Sequence, residues 1–186
     1  MATQVIRRRF TVNEYYLMAQ AGILHEDDRV ELLEGEIVEM AAIGSRHAAC
    51  VNRLNRILSE GLGSRAIISV QNPVRLGEHS EPQPDLTLLR PRPDFYSESH
   101  PESADVMLLV EVADTSEDYD REVKMPLYAR YGITEAWLVD LSSRSIEMYR
   151  DPVLEGYRDI QLAMPGCSIA PQAFPDLELV VEKVFG

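Results

Sequence analysis

The segment MLLVEVA, residues 107–113, constrains the fold of this chain more than any other stretch. Four apolar residues precede Glu111, and Val112 and Ala113 follow it. A short continuous apolar run of this kind reads as a central strand buried on both faces. Glu111 then points into protein whichever face it takes. A buried carboxylate is costly unless it is paired, protonated or bound to a metal. The chain must therefore supply Glu111 with a partner.

The surrounding pattern predicts helices interleaved with strands. Thr11 followed by Glu14 is a capping-box signature that opens a short helix, and Gly22 is a natural stop. Residues 29–40, RVELLEGEIVEM, read as two strands about a tight turn at Glu34-Gly35. Ser45 is expected to cap a second helix with apolar positions at Ala48, Val51, Leu54 and Leu58. Strands are expected at 66–70, 73–76, 86–89 and 106–112, and the Pro- and Ser-rich segment 90–102 as a surface loop. A helix is expected within 120–131, a buried strand at 136–140 and a hairpin from 145–150 and 157–162. Residues 177–184 are apolar and fit either a strand or a helix. The expected class is α/β (α+β): a mixed central sheet flanked by helices. One domain spans 1–186, with an N-terminal helix and hairpin at 11–40, a core at about 45–141 and C-terminal strands at 142–186.

Composition narrows the setting. A hydrophobic fraction of 45% and a charged fraction of 26% suit a soluble globular domain. No apolar run approaches the roughly 20 residues of a membrane helix. The N-terminal MATQVIRRRF has no apolar stretch after its basic residues, so it does not read as a secretory signal. Cys50 and Cys167 lie in no metal or redox spacing and read as free thiols, as expected in a reducing cytoplasm. The net charge of −13 argues against a general affinity for nucleic acid. Local charge is another matter: Arg7, Arg8 and Arg9 cluster, and Arg46, Arg53, Arg56 and Arg65 gather around the second helix.

Two further residues belong with Glu111. In EPQPDLTLL, Asp85 follows Pro84 and begins a strand, where a carboxylate can face a cleft. In DYDREVKMPLYARYG, Asp120, Lys124, Leu127, Tyr128 and Tyr131 recur at helical spacing, which sets Lys124 on the stripe that packs on the sheet. Taken singly, Asp85 is also what an ordinary turn supplies, and a long lysine can reach solvent from a buried stem. Taken together, two carboxylates on neighbouring strands need a cation between them. Lys124 supplies one positive charge, and a divalent ion supplies more. Oxygen donors without a Cys or His cluster favour a hard ion such as Mg²⁺ or Mn²⁺. Pro126 does not fit a helix interior, so the helix is expected to begin or kink there. Asp120, one turn before Lys124, is expected to pair with it. Glu36, after the hairpin turn, and His47, near a helix start, are supporting candidates.

These pieces resemble the PD-(D/E)XK superfamily, the restriction-endonuclease-like fold. The resemblance rests on Pro84-Asp85, on EVA at 111–113 and on a helical Lys124. The order of VELLEGEIVEM, His47, QPDLTLL, LLVEVADTS and YDREVKMPLYARYGITEAWLVD is similar to a bacterial branch of endonuclease candidates long labelled a domain of unknown function. It covers residues 11–141. The resemblance implies a Mg²⁺- or Mn²⁺-dependent endonuclease that hydrolyses phosphodiesters in DNA. Asp85, Glu111 and the Val112 carbonyl would hold the metal, and Lys124 would orient a water or stabilise developing charge. The sequence departs from the superfamily pattern at Ala113, where the lysine is usually found; Lys124 on the next helix is the substitute. Two other readings stay open: an inactive nuclease-fold module for protein association, and a metal-dependent hydrolase of RNA or another phosphate ester. A homodimer, with the hairpin ends and LELVVEKVF as contact surface, is also expected.

Overall fold

The structure is a computed structural model that describes residues 7–25 and 27–186. Part of the N-terminal segment read above as non-secretory, residues 1–6, lies outside the described residues.

Helix α1, Val12–Gln20, begins at the expected capping box. Thr11 accepts from the Glu14 N–H at 3.2 Å, and Glu14 accepts from the Thr11 N–H at 3.0 Å. Replacing Thr11 with alanine removes one of these caps and is expected to cost about 1 kcal/mol in urea unfolding. The hairpin of β1, Val30–Leu33, and β2, Glu36–Glu39, turns at Glu34 and Gly35, both with positive φ (49° and 82°) as a two-residue hairpin turn requires. Helix α2, Ser45–Leu62, follows. Gly44, not Ser45, is its N-cap: Ser45 is already helical and makes no capping bond.

A six-stranded sheet forms the centre, in the order β3, Ile67–Val70; β4, Leu86–Leu89; β5, Val106–Ala113; β6, Glu135–Asp140; β7, Ser145–Val153; and β8, Gly156–Ala163. Only the β5–β6 pair is parallel. That pairing needs a crossover, which the helical segment between β5 and β6 provides. Residues 73–76, expected as a strand, form a loop instead. Pro73 has no N–H to give a ladder, and the Val74 and Leu76 N–H groups bond to Pro82 and Ser80 within the loop. The ambiguous C-terminal segment divides between both readings: β10, Leu179–Val180, pairs with β9, Ser168–Ile169, and a short helix covers Glu182–Phe185.

Strand β5 is buried on both faces, as its composition predicts. Leu108, Val110 and Val112 pack with Leu54 and Leu58 of α2. Leu109 and Ala113 pack with Met125, Leu127 and Tyr128 on the opposite face. Alternation therefore sends Glu111 to the second face, beneath the crossover.

The crossover is not a plain helix. An α-helical turn α3, Glu117–Tyr119, runs into a π-helical turn, Asp120–Lys124, and then into α4, Met125–Arg130. Pro126 is the cause. It has no N–H to give and cannot sit in a regular helix interior. The wider turn lets the Met125 N–H reach the Asp120 carbonyl, and Pro126 falls in the first turn of α4, where prolines are accommodated. Single π turns of this kind recur at functional sites.

Candidate active site

Asp85 immediately precedes β4. The β4–β5 register pairs Leu86 with Val110, so one further antiparallel step sets Asp85 opposite Glu111. Asp85 is held from three sides. Its Oδ2 accepts from the Val112 N–H and faces His47 Nε2, both at 2.9 Å, and its Oδ1 accepts from the Gln71 amide at 3.1 Å. The bond to Asp85 raises the His47 pKa above its ordinary value, against burial, which lowers it.

Glu111 Oε1 accepts from Lys124 Nζ at 3.2 Å and from the Tyr128 hydroxyl. Burial raises the Glu111 pKa to about 8; Lys124 opposes the rise, and Asp120, Asp85 and Glu31 add to it. Lys124 also bridges to Glu31 Oε1 at 3.0 Å. Burial alone would lower the Lys124 pKa, but Glu111, Glu31 and Asp120 outweigh it and hold the ammonium above its ordinary range. One ammonium thus serves several carboxylates, so Lys124 stays charged and Glu111 keeps a proton into the neutral range.

Glu31 is the residue that sequence reasoning missed. It lies in β1, is only 3% exposed, and accepts the Gln83 N–H at 3.1 Å through its second oxygen. The signal was the one that marked Glu111: an acid between apolar Val30 and Leu32, on the same strand face as buried Leu33. Glu36, the candidate drawn from the same hairpin, is well exposed, pairs with Arg7 at 3.2 Å, and does not line the site. Asp120 is buried and faces the site, but its bond is to Ser116 Oγ at 2.7 Å; the Lys124 ammonium pairs with Glu31 and Glu111 instead. The π turn between them spreads the two side chains to different partners.

Asp85, Glu111, Val112, Lys124, Glu31, Asp120 and His47 line one open cavity of about 520 Å³, rimmed by residues 39–44 and 114–116. Six carboxylates line it, from Glu31, Glu39, Asp85, Glu111, Asp114 and Asp120, against the cations Arg29 and Lys124. Among the described residues, no three His, Cys, Asp or Glu side chains converge as a ready-made metal cage. The donor set fits a different kind of site. Mg²⁺ keeps several waters and takes only one or two carboxylates from protein. Opposed Asp85 and Glu111, in a water-accessible cavity with surplus negative charge, meet that requirement.

This is a restriction-endonuclease-like fold with a carboxylate–lysine cluster at its sheet. A putative nuclease belonging to DUF820 from Anabaena variabilis ATCC 29413 has a crystal structure similar to it, with a TM-score of 0.73 over 95% of this chain and 97% of that one, at 17% identity. The family Uma2, "Putative restriction endonuclease", matches residues 12–182, and the chain belongs to that family. No curated protein matches it.

Proposed function

We propose that this chain is a metal-dependent endodeoxyribonuclease. The observation that carries the reading is the opposition of Asp85 and Glu111 on adjacent strands, in an open cavity, with the Lys124 ammonium bonded to Glu111. Family membership supports a nuclease-like activity; DNA as substrate and Mg²⁺ or Mn²⁺ as cofactor are part of the proposal.

Asp85, Glu111 and the Val112 carbonyl would hold the ion. When bound, it supplies a Lewis acid and a more acidic water. The chain's own groups do the rest. Lys124 cannot act as a base, because its neighbours keep it protonated. It acts as a fixed donor, directed at a water or at a phosphoryl oxygen that gains negative charge. Three bonds fix the Asp85 carboxylate before substrate arrives, and Tyr128 does the same for Glu111. His47 holds Asp85 through Nε2, while its buried Nδ1 has no partner within the described protein.

Supercoiled plasmid incubated with the purified protein should be nicked and linearised in Mg²⁺ or Mn²⁺ and left intact in EDTA. Intact plasmid under both metals, with no metal uptake in calorimetry, would instead favour the inactive-module reading, in which the Lys124 ammonium stays bonded to Glu31 and Glu111 in place of an ion.

A further inference from the structure

A second cavity, of about 240 Å³, lies beside the first. Arg46, Arg53 and Arg144 line it, over a floor that includes Cys50, Leu141 and Phe185. Among the described residues no acidic side chain lines it. On a chain with 31 acidic and 18 basic residues this is a marked local reversal of charge. Arg46 and Arg53 are seven residues apart on α2, two turns along one face, or about 10 Å. Arg144 comes from the β6–β7 turn and closes the third side, over the Phe185 ring and bonded to the Gly186 main-chain oxygen at 3.2 Å. All three are exposed. Neighbouring arginines of α2 and its end are matched by acids, Arg56 by Glu60 and Arg65 by Asp176, whereas Arg53 enters no ion pair among the described residues.

The two cavities share a wall. Arg46 bonds to the Leu141 carbonyl at 2.9 Å and pairs at 3.1 Å with Asp114, which itself lines the catalytic cavity. We infer that the arginine cavity binds the phosphate backbone of duplex DNA next to the bond that is cut. This deepens the proposed nuclease reading and rests on it. An acidic catalytic cavity repels a polyanion, so a neighbouring basic seat must hold the strand. Guanidinium groups suit that task, since they stay charged and match phosphate geometry.

The test is binding, free of hydrolysis. A fluorescein-labelled duplex is titrated with protein in EDTA by anisotropy, from 50 to 200 mM salt. Each lost phosphate contact reduces the slope of log affinity against log salt by about 0.9. Arg53→Gln/Arg144→Gln should therefore flatten the slope by about 1.8, so that the fourfold rise in salt costs the variant roughly tenfold less affinity than wild type. A second arm needs no variant. Phenylglyoxal labelling of the unaltered protein, read by peptide mass spectrometry, should show DNA protecting Arg53 and Arg144 but not Arg158, which is exposed on the β7–β8 hairpin. An unchanged slope, or labelling that DNA does not alter, overturns the inference. Absence of plasmid cleavage in metal overturns the nuclease reading instead and leaves the metal-free binding result standing.

Discussion

Replacing Lys124 with methionine is expected to lower the unfolding free energy by about 3–5 kcal/mol, the cost of leaving buried charge unpaired. The side chain is 8% exposed and is the ion-pair partner of both Glu31 and Glu111, themselves almost fully buried. Methionine keeps most of the length, so the loss reports charge more than cavity. The pH dependence has a definite sign. Glu111 already has a raised pKa, and Lys124 is the group that restrains it. Without Lys124 it rises further. A carboxyl whose folded pKa exceeds its unfolded value binds its proton more tightly when folded, so stability falls as pH rises from the unfolded value of 4.5 to the folded one and then levels off. Wild type loses the same contribution up to about pH 8, so the deficit is level from pH 5 to near pH 8 and grows above it. Adding Glu31→Gln should recover part of it. Urea unfolding on both sides of pH 8 measures this, and a variant as stable as wild type at pH 8 would show that the cluster is not held by Lys124.

Much of this cluster was legible because burial of charge leaves a trace in sequence. Glu111 stands out inside an apolar strand, Lys124 stands out on an apolar helical stripe, and the strand pairing that sets Asp85 opposite Glu111 follows once Asp85 is seen to precede a strand. A plain helical period places Lys124 on the inward stripe but leaves out the π turn that Pro126 imposes, and local spacing does not say which carboxylates a lysine then meets. The Glu31 contact is long-range: Glu31 lies 93 residues before Lys124, and nothing in its own segment says that the hairpin packs against the crossover. Turn-adjacent Glu36 is the more conspicuous acid of the hairpin, and a short strand of mixed character hides which of its faces is inward. The Pro73 loop has the same origin, since an apolar pair at Val74 and Leu76 is buried there without any ladder. The arginine cavity is intermediate. The charge cluster on α2 was visible, but Arg144 joins it only through the turn after β6.

Replacing Asp85 with asparagine is expected to reduce plasmid cleavage by about 10³-fold or more, because a bound ion contributes several kcal/mol of charge stabilisation and each 1.36 kcal/mol is tenfold in rate. Asparagine preserves shape and can still accept the Val112 N–H, so the fold and melting temperature should change little. Loss of cleavage then reports chemistry and not unfolding. Metal uptake separates the alternatives further. Wild-type protein should bind Mn²⁺ in calorimetry more tightly as pH rises from 6 to 8, and then level off, because the ion must displace the proton that Glu111 holds below about pH 8. Repeating the titration in buffers of different ionisation enthalpy should show that proton released. In Asp85→Asn both the uptake and the proton release should disappear, since one of the two carboxylates is gone and the other remains protonated beside Tyr128 and Lys124. Cleavage by Asp85→Asn at the wild-type rate would remove Asp85 from the chemistry. The nuclease proposal would then have to rest on a different pair of groups in the same cavity, where Glu31, Glu39, Glu111, Asp114 and Asp120 are the carboxylates that remain.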